Sequence, residues 1–408
     1  MITRRGSGVL LALVLLATGA CTAGDEASPS TIPETTTTAA GATSSTAAEA
    51  VTTTAVEPTT TSTRASGDGG VDDAGWIIGL LDRIPDTGTT GRHVELVDLA
   101  AAAEAAGAQI PPAGAEESAV RDYLLALPGD VLVPELLQRA AASADAIRVE
   151  LGIDPVTIQR AATAGEPPER YLVLLGDFDG TAIDAAVRSE PVWSDLLTTA
   201  EHAGVPYYTW GEDFASILDR VTPARPLGRG NRLALHGGYL YWVPWTAGVE
   251  ALIDAGSGVT PDLADRPLLR QAAGLLEGER VYSAILTDTP LLAEPLGTQP
   301  GQGVDGHLAP YRVLGLGGGR DEAGQFWVVV AIHDSPAAAE QSAAGFRAGI
   351  EQGTAMTLGG APWSERVTAL EVTVEGAAMV AVLRSAGPVG DWIRAYLSRD
   401  PLFAVAGG

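Results

Sequence analysis

Lysine is absent from this chain of 408 residues, and all 25 of its basic residues are arginines. Without an amine on any side chain, the protein can form no lysine Schiff base and no phosphate-binding loop that ends in Gly-Lys-Ser/Thr. Acidic residues outnumber the arginines, 51 to 25, which gives a formal net charge of −26. Because such a charge repels nucleic acids and anionic headgroups, we expect no nucleic-acid partner.

Cysteine, aromatic residues and long apolar stretches are also scarce. Cys21 is the one cysteine, so the chain cannot close an internal disulfide bond. Aromatic residues make up 5% of the chain, and much of its 46% apolar content is alanine. The apolar run near the N-terminus, residues 9–16, is shorter than the roughly 20 residues that a helix needs to cross a bilayer.

The first 21 residues are organised like an export signal. Arg4 and Arg5 precede the apolar run, and Ala17-Thr-Gly-Ala20 leads directly to Cys21. In this order of features the segment resembles a bacterial lipoprotein precursor, which is cleaved before a cysteine that carries lipid. The resemblance implies a signal peptide over residues 1–20, a lipid-modified Cys21 and a position at the extracytoplasmic face of the cell membrane. Two hydrocarbon chains on one residue suffice for a stable anchor, so membrane lipid is an expected partner.

Residues 21–74 are dominated by threonine, alanine, serine, proline, glutamate and glycine. No large apolar residue recurs there with the period of a helix or a strand, so burial cannot offset the entropy of ordering the segment. The composition predicts a disordered tether, and a flexible chain of this length would reach about 40 Å.

The remaining residues predict an α+β fold. Residues 75–165 form a predicted helical section, with helices over 76–83, 94–106, 116–127, 133–151 and 155–162. Residues 166–408 form a predicted α+β body of strand-helix units, in which hairpins such as 232–235 with 239–243 indicate an antiparallel or mixed sheet. The two sections either fold separately or form one compact unit over residues 75–408. Three strand-to-helix junctions carry Asp179, Thr246 or Asp334 at the expected N-cap, which favours an internal duplication.

Asp177 and Asp179 follow the predicted strand 170–175 in the sequence Asp-Phe-Asp-Gly-Thr. This segment resembles the first motif of the haloacid-dehalogenase-type phosphatases. The resemblance implies a nucleophilic Asp177 and an acid/base Asp179 around Mg²⁺, on a parallel doubly wound sheet. The alternative is that Asp179 caps the helix that follows. No other residues have metal-binding spacing, and the glycine-rich residues 315–320 predict a hairpin turn, so we expect no cofactor and no further metal site.

Seven tyrosines and tryptophans lie within forty positions of a chain that has few aromatic residues. Tyr239, Tyr241, Trp242 and Trp245 are candidates to line a groove for a sugar or an apolar ligand, because rings offer a large contact area. Core packing is the alternative, since buried aromatic stripes are common. The full set is Tyr207, Tyr208, Trp210, Tyr239, Tyr241, Trp242 and Trp245.

These observations predict a lipid-anchored envelope protein with a non-catalytic binding or accessory function towards an unknown extracytoplasmic ligand or protein. One alternative is a membrane-anchored, metal-dependent hydrolase that uses Asp177 and Asp179. A second is the substrate-binding component of a transporter, which requires two α/β lobes joined by a hinge.

Overall fold

The structure is a computed structural model that describes residues 75–292, 307–385 and 390–405. The predicted signal peptide, the tether and Cys21 lie outside these residues. In the described part, ten α-helices accompany a sheet of twelve strands, and every strand pair in it is antiparallel. The predicted α+β class is therefore confirmed.

The elements alternate along the chain rather than separating into a helical part and a mixed part. The first half contains α1 (Trp76–Leu81), β1 (Val94–Asp98), α2 (Leu99–Ala106), α3 (Glu117–Ala126), α4 (Glu135–Leu151), β2 (Ile158–Ala164), β3 (Tyr171–Gly176), α5 (Gly180–Ser189), β4 (Leu197–His202), β5 (Val205–Trp210), β6 (Arg232–His236) and β7 (Tyr239–Val243). The second half contains α6 (Thr246–Gly256), α7 (Pro267–Gly278), β8 (Ser283–Thr287), β9 (Val313–Asp321), β10 (Gly324–Ile332), α8 (Pro336–Gln352), β11 (Thr354–Ala355), β12 (Ala361–Pro362), α9 (Trp363–Arg366), β13 (Val367–Glu375), β14 (Ala378–Ser385) and α10 (Asp391–Leu397).

One sheet runs through both halves in the order β13-β14-β10-β9-β8-β1-β2-β3-β7-β6-β5-β4, while β11 and β12 form a separate pair. Strand β1 joins the halves, because Val94 lies opposite Ala164 of β2 on one side and Leu286 of β8 on the other. The continuous sheet differs from the two hinged lobes that a transporter's substrate-binding component would need.

Two of the predicted helices are wrong in part, because they contain sheet strands. Residues 94–98 are β1, and residues 158–164 are β2. The Gln-Arg-Ala-Ala run of β2 has a high helix propensity, but the strand lies between β1 and β3 and bonds to both. Tertiary pairing overrides the local preference in this position. Helix α2 begins only after Asp98, whose side chain accepts a hydrogen bond from the Ala101 amide at 2.9 Å.

Helices cover both faces of the sheet. The α1, α6 and α7 helices pack on one face, against residues such as Leu96, Val173 and Val330. The opposite face carries two helical groups, α2–α5 over the first half and α8–α10 over the second. None of the helices in the described ranges is long and apolar enough to cross a membrane.

The three strand-to-helix junctions differ in their caps and in the face that their helices cover. Asp179 caps α5 as predicted, but α8 is capped by Ser335 instead of Asp334. At α6, Thr246 is the first helical residue, and Asp213 from another loop accepts its amide hydrogen bond at 2.9 Å. Since α5 and α8 lie on one face and α6 on the other, the three units do not repeat a single arrangement.

The glycine-rich residues 315–320 lie inside β9, and the hairpin turn follows them between Asp321 and Gly324. The predicted hairpin is present, but the glycines serve close packing instead of the turn. A Cβ atom on Gly317 would lie 2.7 Å from Val281 Cγ1, and one on Gly318 would clash with Asp130 Oδ2. Glycine within a strand is typical of such close approach.

We expect Gly317→Ala to lower the free energy of unfolding by about 1–3 kcal/mol, because the added methyl group overpacks a buried strand. Urea unfolding followed by circular dichroism measures the change. The matched control is Gly274→Ala in α7, where a Cβ atom would meet nothing within 4 Å. There the same substitution should stabilise the protein by about 0.5–1 kcal/mol, since alanine is the better helix former. Equal effects at the two positions would contradict the packing account.

Candidate functional site

A cleft of about 720 Å³ opens on the face of the sheet that carries the two helical groups. Glu95 of β1 lies in it and shares that face with Val97, because alternate residues of a strand point the same way. The cleft has the volume of a typical small-molecule site. We call it the arginine cleft; its lining residues are Arg92, His93, Glu95, Gly165, Glu166, Pro167, Arg170, Thr287, Thr289, Pro290, Leu291, Leu292, Tyr396, Leu397 and Arg399.

His93 connects the two sides of the arginine cleft. Its Nε2 lies 2.9 Å from Glu95 Oε1, and its Nδ1 lies 3.3 Å from the Tyr396 hydroxyl oxygen. The rings of His93 and Tyr396 are nearly parallel, at an interplanar angle of 12°. Since an ionised carboxylate only accepts hydrogen bonds, Nε2 carries the proton, and in the neutral ring Nδ1 accepts from Tyr396. The tautomer of His93 follows from its two partners.

Glu95 is ionised and fully engaged. Its second oxygen accepts a hydrogen bond from Arg170 at 3.3 Å. Burial opposes its ionisation, but the hydrogen bond from His93 and the attraction of His93 and Arg170 outweigh that effect, so the pKa of the Glu95 carboxyl is lowered. Burial and the Glu95 charge raise the pKa of Tyr396 to about 12. The Tyr396 hydroxyl therefore stays protonated and is no activated nucleophile.

The charge of the cleft is opposite in sign to that of the chain. Three arginines line it, Arg92, Arg170 and Arg399, against two carboxylates, Glu95 and Glu166. The lining also contains four apolar residues, Pro290, Leu291, Leu292 and Leu397. Sequence reasoning missed this site, because its parts come from four separated segments with no motif among them. The one signal in the sequence was His93, a histidine without metal-binding spacing to any other.

Asp177 and Asp179 are both exposed, outside the arginine cleft. The carboxylate of Asp179 accepts hydrogen bonds from the amides of Thr181, at 2.8 Å, and Ala182, at 3.2 Å, which confirms the capping alternative. The described strands pair antiparallel, unlike the parallel sheet that the phosphatase resemblance implied. In the described ranges, no group of three or more His, Cys, Asp or Glu residues is placed to hold a metal ion.

The aromatic residues of the predicted groove lie in the core. Tyr239, Tyr241 and Trp245 are buried with the α1, α6 and α7 helices, and Trp242 is half-buried on the opposite face. Because their rings are packed against the chain itself, they form no open groove. Core packing, the alternative to ligand binding, is what the structure contains.

Two of these rings, those of Trp210 and Trp242, contact the same arginine of the chain itself. The guanidinium carbon of Arg225 lies 4.3 Å from the ring centre of Trp210, 4.9 Å from that of Trp193 and 5.6 Å from that of Trp242. Arg225 is only 1% exposed and forms an ion pair with Glu150 of α4. Burial raises the pKa of the Glu150 carboxyl, and the charge of Arg225 opposes that shift. The cation that these rings contact is therefore the buried guanidinium of Arg225, a residue of the chain itself, and not a ligand.

We expect Arg225→Met to lower the free energy of unfolding by about 3–5 kcal/mol, because it leaves the Glu150 carboxylate buried without its partner. Adding Glu150→Gln should restore part of the loss by removing that charge. Urea unfolding of the two single variants and the double variant measures the coupling. The control is Arg188→Met, which removes an exposed arginine that pairs with Asp184 and should change stability little. Additive effects of the two core substitutions would contradict a buried ion pair.

Comparison with known proteins identifies no family. No protein-family model matches the chain, and no curated protein matches it. Among solved structures, crystal forms I and III of TP0453 each align with a TM-score of 0.35 and 9% sequence identity. The alignments cover 79% and 78% of this chain and 97% of TP0453. At so low a TM-score the likeness carries no argument about this chain.

Proposed function

We propose that this chain is a lipid-anchored, extracytoplasmic binding protein whose ligand occupies the arginine cleft. The observation that carries the proposal is the cleft itself. It has the volume of a ligand site, three arginines in an acidic protein and four apolar residues in the same lining. Such a combination of a few polar groups with apolar surface is typical of small-molecule sites.

The polar groups of the cleft support binding rather than catalysis. His93 is hydrogen-bonded on both ring nitrogens, and Glu95 is held by His93 and Arg170. Tyr396 has a raised pKa, stays protonated and donates a hydrogen bond to His93. These contacts orient the wall of the cleft and leave no nucleophile beside a free base, the pair that covalent catalysis requires.

The membrane anchor is supported by the N-terminal sequence. Small residues at 17–20 lead to the single cysteine, Cys21, and a threonine-rich segment follows it up to residue 74. A lipid on Cys21 together with a flexible tether would hold the cleft at the outer face of the membrane and clear of the headgroups.

Cys21→Ser should move the protein from the membrane fraction to the soluble fraction, because serine carries no thioether-linked lipid. Immunoblots of fractionated cells and intact mass spectrometry of the mature N-terminus measure the change. Ala23→Ser is the matched control, since it alters a neighbouring residue and keeps the sulfur atom. Full membrane retention of the Cys21→Ser protein would refute the anchor.

Thr289→Trp should abolish ligand binding, because Thr289 is exposed at the cleft and an indole there would occupy its volume. The full-length Cys21→Ser protein is screened by thermal shift against a panel of neutral, cationic and anionic organic compounds. Any compound that raises the melting temperature should lose its effect in the Thr289→Trp variant and keep it in Thr260→Trp, an exposed threonine outside the cleft. Binding that survives Thr289→Trp, or a panel without any binder, would count against the cleft as the ligand site.

A further inference from the structure

We infer that the ligand of the arginine cleft is a single organic anion with an apolar chain, bound with its charged end against the arginines and its chain against the leucines. This inference rests on the proposed binding function and adds the chemical class of the ligand. The excess of arginines in the cleft, the pairing of Glu95 and the exposure of the lining leucines each point to it.

The charge of the residues that line the cleft favours an anionic ligand. Arginines form a minority of the charged residues of this chain, yet three of them meet in one cleft. The side chain of Arg92 has no hydrogen bond or ion pair with any residue in the described part of the chain, and it is exposed at the cleft. A guanidinium group binds carboxylate and phosphate oxygens through two parallel hydrogen bonds. Arg92 is therefore available to an incoming anion without breaking a contact of the fold.

The carboxylate of Glu95 does not oppose an anion. Its charge is compensated by the hydrogen bond from His93 at 2.9 Å and by that from Arg170 at 3.3 Å. Both contacts are inside the protein, so they are present before a ligand arrives. Glu95 and Arg170 are then held in place beforehand, which lowers the cost of ordering them on binding.

The apolar residues of the lining favour a ligand with a hydrocarbon part. Leu292 is 51% exposed and Leu397 is 58% exposed, and both line the cleft beside Pro290 and Leu291. Covering such side chains removes apolar surface from water, which favours association. A simple inorganic anion would leave both leucines exposed and fill little of the 720 Å³ volume. The arginines and the apolar residues of the lining together fit an amphiphilic anion, such as an alkyl phosphate or an alkyl carboxylate.

Isothermal titration of the full-length Cys21→Ser protein with four probes tests the class. Octyl phosphate carries both features, inorganic phosphate carries the charge alone, octyl glucoside carries the chain alone, and octyltrimethylammonium carries the opposite charge. Below the micellar concentration, octyl phosphate should bind at least ten-fold more tightly than each of the other three. Cosedimentation with vesicles that contain phosphatidic acid distinguishes binding of a monomeric ligand from binding to a membrane surface. Binding to vesicles without binding to monomeric octyl phosphate would overturn the inference.

Matched variants assign the two ends of the ligand. Arg92→Gln should weaken octyl phosphate binding at least five-fold, whereas Arg320→Gln, an exposed arginine of β9 outside the cleft, should leave it unchanged. Leu397→Gln should also weaken it, whereas Leu125→Gln, a leucine of α3 that is 61% exposed, should have no effect. Equal effects of the cleft variants and their controls would overturn the assignment.

The outcomes separate the ligand class from the binding function. If octyl glucoside or octyltrimethylammonium binds best and Thr289→Trp abolishes that binding, the anionic class is wrong and the binding function stands. If octyl phosphate binds the Thr289→Trp variant as tightly as its parent, the cleft is not the site and both proposals fail. If none of the four probes binds, the inference is overturned, and the wider compound panel decides the binding function on its own.

Discussion

Strand β1 bonds to a neighbour on each side, and both the fold and the cleft depend on that pairing. Through β8 and β2 it joins the first five strands of the sheet order, β13 to β8, to the last six, β2 to β4. The same strand carries Glu95 into the cleft, two residues after His93. Tyr396 of α10 reaches them from the second helical group, so the site forms only when both halves of the molecule are in place. A change that weakens β1 would therefore affect the cleft and the global stability together.

This protein has no lysine, and its arginines occur in two different environments. Arg225 is buried among three tryptophans and paired with Glu150, where its flat guanidinium stacks on rings as an ammonium group could not. Arg83 likewise lies 4.6 Å from the ring centre of Tyr239 on the other face of the sheet. In the cleft, by contrast, Arg92 is exposed and unpaired with any described residue. The first kind stabilises the fold, and the second is the kind that we propose binds the ligand.

Close backbone packing is a second constraint on the sheet. Gly317 and Gly318 lie within β9 because Val281 and Asp130 occupy the space that their side chains would need. Asp130 in turn accepts hydrogen bonds from Tyr282 at 2.8 Å and from Trp392 at 3.4 Å. Burial raises the pKa of the Asp130 carboxyl, while those two hydrogen bonds oppose the shift. The glycines thus allow a buried polar contact between α10 and the loop that precedes α4.

The sequence by itself determined the fold class and most of the helices and hairpins, because hydrophobic periodicity, caps and turns are local. It also determined that Asp179 suits a helix cap, since that contact spans only three residues. The tertiary structure alone decided that residues 94–98 and 158–164 are strands, since their partners lie elsewhere in the chain. It likewise decided that the aromatic rings enclose Arg225 and that residues about 300 positions apart, His93 and Tyr396, meet in one cleft. Burial and long-range pairing depend on how the elements assemble, and no local pattern in this chain encodes that assembly.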